Sequence, residues 1–259
     1  MKLSLFQADA FTSTMFSGNP AAVCPLDEWI SDSLMQQIAA ENNLSETAFF
    51  VERENHFELR WFTPATEVDL CGHATLATAH IMFEELGYKQ KALSFETRSG
   101  TLMVEREGDK LKMDFPTDDM PAVVPPEVLF QGLGVRSDLV FATDDYMVVL
   151  ESEEAVAELN PNFRLLSEVN ARGIIVTAPG DKVDFVSRFF APQCGIDEDP
   201  VTGSAHTKLT PYWAQRLDKT ELTARQISKR GGDLLCRYKG DRTEILGEAV
   251  TYLKGEITI

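Results

Sequence analysis

The chain has 259 residues, a net charge of −17, and hydrophobic and charged shares of 44% and 25%. This is the composition of a soluble globular protein, and the length allows one large domain or two lobes. The negative charge argues against nucleic-acid backbones and anionic membranes as partners, because both require a basic surface. No apolar run approaches the roughly 20 residues that a membrane helix needs.

The N-terminal segment and the cysteines define the expected environment. An acidic residue follows the start too early for a signal peptide, so we expect a cytoplasmic protein. The four cysteines form no CxxC pair, and the four histidines show no HExxH spacing. A disulfide framework or a structural zinc site is therefore not expected.

Alternating apolar residues and turn signals predict most elements of the first half. The predicted strands cover residues 2–11, 44–51, 56–62, 91–97, 101–107 and 110–116. The segment 11–23 is expected to be rich in turns, because Gly18, Asn19 and Pro20 favour loops. Apolar residues at helical spacing predict a helix over residues 31–42.

The helix predicted over residues 72–86 is apolar on nearly every face, and no charge occurs before Glu84. Such a helix is normally enclosed on all sides. Short strands surround it in sequence, so we expect an α+β lobe in which a barrel-like, mostly antiparallel sheet wraps a central helix.

The second half repeats this plan after the Pro-rich, acidic segment 117–126, which is the best linker candidate. We expect domains at residues 1–117 and 118–259, and the last strand could return to the first lobe. Helices are predicted near 153–159 and over 204–217. Strands are predicted over 138–142, 146–150, 173–178, 183–191, 222–229, 233–239, 243–250 and 252–258.

An internal repeat links the two halves. RWFTPATEVDLCGHATLATA (60–79) aligns with RFFAPQCGIDEDPVTGSAHTKLT (188–210) after a three-residue adjustment, so Gly72 matches Gly203. Each copy leads from an aromatic strand through an acidic loop into a helix. The repeat predicts a duplicated lobe and a pseudo-symmetric molecule.

The repeated loops carry the candidate chemistry. A helix start has unpaired N–H groups and a partial positive charge, which suit a carboxylate or a phosphate. The residues Gly72, Gly203 and Ser204 are therefore candidates for binding an anion in a cleft between the lobes. Gly72 and Gly203 could equally be ordinary turn residues ahead of two helices.

Four further side chains are candidates for proton chemistry. Glu46 lies just ahead of an apolar run, which would raise its pKa, or it is a solvated strand-end residue. Asp199 either points into the cleft or belongs to a solvated acidic loop. His73 at a helix start is expected to be neutral. Cys71 is either a thiolate activated by the helix end or an inert buried thiol.

Five segments resemble a known family. FSGNPAAV (16–23), LSETAFF (44–50), RWFTPATEVDLCGHATLATA (60–79), RFFAPQCGIDEDPVTGSAH (188–206) and RGGDL (230–234) are similar to motifs of the PhzF-like family. This is the phenazine-biosynthesis isomerase group within the diaminopimelate-epimerase-like fold. The motifs are ordered along both halves, so the resemblance covers the whole chain.

The resemblance implies a homodimeric, cofactor-free and metal-free isomerase acting on a dihydro-hydroxyanthranilate-type substrate. Glu46 matches the family's general acid/base, and His73 and Asp199 match residues that contact the substrate and relay protons. Gly72 and Ser204 match the carboxylate-binding helix starts.

Loops rather than the repeat would select the substrate, with residues 17–19, 144–146 and 230–232 as candidates. Asn19 is the substrate-binding candidate among them. Two other functions stay open: an epimerase or racemase of a modified amino acid, and a non-catalytic protein that binds small carboxylates. A two-thiol epimerase is disfavoured, because only the first loop has a cysteine, Cys71, near its expected thiol position.

Overall fold

A computed structural model describes all residues from 1 to 259 as a mixed α+β protein. The chain divides into two compact units. The first comprises Met1–Phe115 with Glu244–Ile259, and the second comprises Pro116–Thr243. None of the helices combines the length and the apolar character needed to cross a membrane.

The elements follow in chain order. The strands are β1 (Lys2–Ala10), β2 (Asn19–Leu26), β3 (Glu46–Glu52), β4 (Phe57–Phe62), β5 (Glu67–Val68), β6 (Ala92–Thr97), β7 (Gly100–Glu107), β8 (Lys110–Pro116), β9 (Val140–Ala142), β10 (Tyr146–Val149), β11 (Ile174–Pro179), β12 (Phe185–Ala191), β13 (Ile196–Asp199), β14 (Glu221–Gln226), β15 (Gly232–Tyr238), β16 (Arg242–Gly247) and β17 (Ala249–Thr258). The helices are α1 (Asp32–Asn42), α2 (Gly72–Glu84), α3 (Glu127–Leu133), α4 (Glu153–Ala157), α5 (Phe163–Leu166) and α6 (Gly203–Leu217), with a 3₁₀ turn at Pro192–Cys194.

The first unit surrounds α2 with strands. β1 pairs antiparallel with both β17 and β2, and β2 runs parallel to β3. β3 pairs antiparallel with β4, which runs parallel to β6, and β6, β7 and β8 form an antiparallel meander. The helix α2 contacts β1, β2, β3 and β17, and nearly all of its side chains are buried. The prediction of an enclosed apolar helix is confirmed.

The second unit places α6 against β14 and β15. β11 pairs antiparallel with β12, and β12 pairs antiparallel with β13 and parallel with β14. Pro211 lies inside α6 and has no N–H to donate to the carbonyl of Thr207. That carbonyl instead accepts the N–H of Asp118 at 3.2 Å, so the proline leaves no unpaired acceptor.

The sequence repeat is also a structural repeat. In the first unit Arg60 makes a two-pronged ion pair with Glu67 at 2.7 and 2.8 Å. In the second unit Arg188 does the same with Glu198, at 2.7 and 2.9 Å. The second copy also contains the 3₁₀ turn Pro192–Cys194, which lies in the loop where the alignment needed its three-residue adjustment.

Two expectations about local structure were wrong in detail. The segment 11–23 does not stay in turns, because residues from Asn19 onward form β2. Pro20 pairs with Asp9 of β1 at the second position of β2, one residue before the parallel pairing with β3 begins at Ala21, and a strand start tolerates proline. The short helices α3 and α5 were not anticipated, because one or two turns carry little periodic signal.

Candidate functional site

Glu46 is the first residue of β3, beside Ala21 of the parallel strand β2. The next residue, Thr47, pairs with Phe62 of β4, so strands on both sides hold the backbone of Glu46. Its side chain is only 13% exposed. The alternative of a solvated strand-end glutamate therefore does not describe this residue.

His73 lies opposite Glu46, in the first turn of α2. Its Nε2 is 3.1 Å from Oε2 of Glu46, although the two groups are not aligned as a hydrogen bond. Each of these two atoms is buried and has no other hydrogen-bond partner within the protein. The pair interacts through charge while keeping both atoms available to a third group.

Cys71 occupies the cap position of α2 without capping it, since its side chain makes no hydrogen bond to the first turn. Its sulfur lies 3.6 Å from Nδ1 of His73 instead. Burial, with the nearby charge of Glu46, raises the pKa of the Cys71 thiol to about 11. The thiol is therefore neutral near pH 7, and the alternative of a thiolate activated by the helix end is not supported.

The protonation of His73 differs from the sequence-based expectation of a neutral ring. Burial disfavours the imidazolium, but the interactions of the ring with Cys71 and Glu46 outweigh it and place the pKa of His73 well above its usual value. A full carboxylate charge at 3.1 Å outweighs the partial charge of a helix start.

Asn19 belongs to the same unit. It is fully buried at the start of β2, and Oγ of Ser45 lies 3.5 Å from its Oδ1. Gly18 precedes it with a positive φ, where a Cβ would come within 2.2 Å of the Ala10 carbonyl oxygen. Only glycine fits this turn, and the turn delivers Asn19 to the strand that runs beside Glu46.

The second unit has its own uncapped helix start. Thr202 occupies the cap position of α6, yet its hydroxyl donates to Oδ2 of Asp199 at 2.5 Å and does not cap the helix. Gln226 fixes this arrangement, because its amide donates to the Asp199 carbonyl at 2.7 Å and accepts the Thr202 N–H at 2.9 Å. The N–H groups of the first turn, which begins at Gly203, therefore have no capping side chain.

Arg172 lies against this helix start and was missed by the sequence reasoning. Its Nη1 donates to Oγ of Ser204 at 3.0 Å, and its Nε donates to the fully buried Asp145 at 2.9 Å. Lys208 of α6 also contacts Asp145, at 3.0 Å. No sequence signal marked it: only strand register shows that Gly173, which directly follows Arg172, corresponds in the second unit to Glu46.

His206 contacts the backbone at the start of α6. Its Nδ1 lies 2.8 Å from the carbonyl of Thr202, one helical turn earlier. Burial lowers the pKa of His206 to about 4, so the ring is neutral near pH 7 and Nδ1–H donates to that carbonyl. The residue holds the loop that carries Asp199 and has no exposed surface of its own.

The predicted residues thus form one group in each unit. The first group joins Glu46, His73 and the start of α2, and the second joins Asp199 with Gly203 and Ser204. The expectation that they line a common cleft stays a prediction. Glu46, Cys71 and His73 also offer metal-ligand atoms that all lie within 4.8 Å of one another.

Comparisons with known proteins agree with the motifs. The family described as phenazine biosynthesis-like protein matches residues 8–255. An uncharacterized isomerase of Pseudomonas aeruginosa is 52% identical over 257 residues, with 99% of each chain covered. A PhzF-family protein of Enterococcus faecalis has a similar structure, with a TM-score of 0.97, 44% identity and full coverage of both chains.

A more distant likeness concerns the fold alone. A hydroxyproline epimerase from Agrobacterium vitis superposes with a TM-score of 0.64 at 9% identity, covering 99% of this chain and 92% of that one. The expected two-lobed epimerase-like α+β fold is confirmed. From the motifs, the fold and the match along almost its whole length, this chain belongs to the PhzF family of phenazine biosynthesis-like proteins.

Proposed function

We propose that this enzyme is a cofactor-independent isomerase that moves a proton between two carbons of a small carboxylic acid. A dihydro-hydroxyanthranilate or a related metabolite is the substrate class that the family suggests. The observation that carries the proposal is the pair of buried, unpartnered atoms, Oε2 of Glu46 and Nε2 of His73, 3.1 Å apart at an uncapped helix start.

Glu46 acts as the general acid/base in this proposal. Its carboxylate removes a proton from an activated C–H bond and returns the proton at another carbon. His73 carries a proton near pH 7, because its pKa lies above the usual value, so it donates to the charge that develops on the substrate. The low exposure of both side chains limits the water that would quench a carbanion-like intermediate.

The helix starts bind the carboxylate groups. In the first unit, the backbone N–H groups at Gly72 and His73 lie in the first turn of α2, which no side chain caps. In the second unit, Gly203 and Ser204 offer the same feature, and Arg172 adds a full positive charge beside Ser204. We assign carboxylate binding to both positions and a proton-relaying role to Asp199, whose carboxylate is held by Thr202.

A two-thiol epimerase mechanism has less support. The position that corresponds to Cys71 in the second unit is Thr202, and its hydroxyl is committed to Asp199. The other cysteine in that loop, Cys194, lies in the exposed 3₁₀ turn, with its sulfur directed to the carbonyl of Arg172. A thiol is therefore present at one helix start and absent from the other.

The test is hydrogen exchange. The protein is incubated in D₂O with a panel of dihydroaromatic and amino-acid carboxylates, and deuterium uptake is followed by mass spectrometry. We expect uptake into one compound class, and a loss of about 10²-fold or more in Glu46→Gln, since that variant lacks a general acid/base. Glu52→Gln is the matched control, because Glu52 lies on the same strand but bonds the exposed Tyr88 hydroxyl.

Full exchange in Glu46→Gln would rule out Glu46 as the acid/base. Exchange that only inverts one stereocentre would identify an epimerase. No exchange across the panel, together with thermal stabilisation by the same acids, would indicate a protein that binds carboxylates without turnover.

Cofactor independence has a separate test. We expect incubation with a chelator to leave the exchange rate undiminished, because the proposed proton transfers use only side chains of the protein. A loss of activity that added metal restores would contradict the proposal.

The homodimer and the cytoplasmic location implied above also stay predictions. Sedimentation analysis would test the homodimer.

A further inference from the structure

We propose that Glu46, Cys71 and His73 bind a single thiophilic divalent transition-metal ion, for which Zn²⁺ is the best fit, and that this ion inhibits the enzyme. The binding part stands on the geometry of the three side chains. The inhibition part rests on the proposed function, because it assumes that Glu46 and His73 carry the proton transfer.

The ligand set matches zinc chemistry. A thiolate sulfur, an imidazole nitrogen and a carboxylate oxygen are the donors that Zn²⁺ takes in proteins. The three donor atoms already lie within 4.8 Å of one another. An ion at usual bond lengths holds its ligands about 3.5 Å apart, and Nε2 of His73 is 3.1 Å from Oε2 of Glu46. Binding through Nε2 requires the Cys71 side chain to rotate away from Nδ1, which its sulfur contacts at 3.6 Å.

A second observation points to a missing partner at this place. Oε2 of Glu46 and Nε2 of His73 are buried without a hydrogen-bond partner, and buried polar atoms in native proteins are nearly always paired. The side chain of His73 is only 6% exposed, so bulk water does not reach the ring to act as its hydrogen-bond partner. A ligand that binds both atoms would remove the energetic cost of leaving them buried and unpaired.

The backbone supporting the ligands is rigid. Glu46 is held in β3 between two paired strands, and His73 lies in the buried helix α2. Cys71 immediately precedes that helix, so its backbone and that of His73 keep a fixed spacing. Three protein ligands leave the fourth tetrahedral position of zinc open to water or to a substrate oxygen.

Binding changes no oxidation state. The S–H bond of Cys71 and one N–H bond of the His73 imidazolium break, a sulfur–metal and a nitrogen–metal bond form, and both released protons pass to solvent. The thiolate and the Glu46 carboxylate then balance the two charges of the ion. Because the sulfur ligand is soft, the site should prefer Zn²⁺ or Co²⁺ to Mg²⁺ or Ca²⁺.

The test uses Co²⁺ as a spectroscopic probe of the metal-free protein. We expect Co²⁺ to produce a thiolate-to-cobalt charge-transfer band that Zn²⁺ abolishes and Mg²⁺ leaves unchanged. Cys71→Ala should lose the band, and His73→Gln should lose it or bind Co²⁺ much more weakly. Cys194→Ala is the matched control and should keep the band, because Cys194 is exposed and outside this group.

A band that survives Cys71→Ala, or that disappears in Cys194→Ala, would overturn the site, as would the lack of any band in the wild type. Circular dichroism checks that each variant is folded, and His73→Gln gives an independent answer if Cys71→Ala is not. Zn²⁺ that binds without slowing deuterium exchange would overturn the inhibition. A wild type that shows no exchange at all bears on the proposed function, while the cobalt spectrum still decides the site.

Discussion

The Cys71 thiol, beside Glu46 and His73, keeps its proton near pH 7. Burial raises the pKa of Cys71 to about 11, so the thiol does not release its proton near pH 7. Its sulfur lies 3.6 Å from Nδ1 of His73. The same thiol becomes a ligand only when a metal ion displaces its proton.

We expect Cys71→Ala to retain most of its turnover. A loss smaller than about tenfold would fit a neutral bystander, since removing a general acid/base costs about 10²–10⁴-fold. Steady-state exchange rates of the variant and the wild type, both treated with chelator, give the comparison. A loss as large as that of Glu46→Gln would instead assign proton transfer to the thiol.

At the scale of elements, the helix α6 depends on a buried cation. Lys208 is 4% exposed and lies within 3.0 Å of carboxylate oxygens of Asp118, Asp144 and Asp145. Asp145 is fully buried, so it needs the charges of both Lys208 and Arg172. This group of charges connects the start of α6 to the loop that precedes β10.

Replacing Lys208 tests that dependence. We expect Lys208→Met to lower the free energy of unfolding by about 2–3 kcal/mol, because Arg172 still pairs with Asp145. Lys219→Met is the control, since Lys219 pairs with Asp184 while 52% exposed, and it should cost less than about 1 kcal/mol. Urea unfolding measures both, and equal losses would contradict a special role for the buried lysine.

His206, which contacts the backbone at the start of α6, predicts that the stability of the protein depends on pH. Its pKa is about 4 in the folded protein against 6.5 as its ordinary value, because burial disfavours the charged ring of His206. Between these pH values the unfolded chain binds a proton that the folded protein does not. The contribution of neutral His206 to the free energy of unfolding is therefore fully present above pH 6.5 and is lost as the pH falls towards 4.

His206→Asn removes this titration while keeping a donor near the Thr202 carbonyl. We expect the wild type to lose up to about 3 kcal/mol more than the variant between pH 6.5 and 4. Thermal melts across that range, compared as differences between the two proteins, separate His206 from the many carboxylates that titrate together. If the melting temperatures of the two proteins changed in parallel with pH, His206 would not be buried in its neutral form.

At the scale of the whole molecule, the chain ends belong to one unit. β17 pairs with β1 along nearly its whole length, and the Ile259 N–H donates to the Met1 carbonyl at 2.8 Å. The first unit is consequently built from both ends of the chain. A fragment of residues 1–117 alone would leave β1 with one neighbour fewer and part of α2 uncovered.

A circular permutant tests this organisation. Joining Ile259 to Met1 and opening the chain after Val124, which is 96% exposed, makes the first unit continuous in sequence and moves only residues 116–124 of the second unit to the other end of the chain. We expect this permutant to melt close to the wild type, because no paired strand is cut. The fragment 1–117 should fail to fold by circular dichroism, and a stable fragment would show that β17 is dispensable.

Parts of the site could be read directly from residues. The repeat around Arg60 and Arg188, the apolar helix that follows Gly72, and the proton-exchange candidate Glu46 each follow from local patterns. The pairing of Glu46 with His73 could not be predicted, because strand register brings together residues that are distant in sequence. Arg172 was missed for the same reason, since nothing near it in sequence indicates that it contacts Ser204.

The sequence by itself determined the duplicated α+β plan, the two helix starts and the family. These depend on periodicity and on motifs whose residues are neighbours along the chain. Only the tertiary structure decided protonation states and partners, because burial and the distance to a charge set the pKa of His73 and of Cys71. It also decided that Thr202 turns its hydroxyl to Asp199 and leaves the start of α6 uncapped.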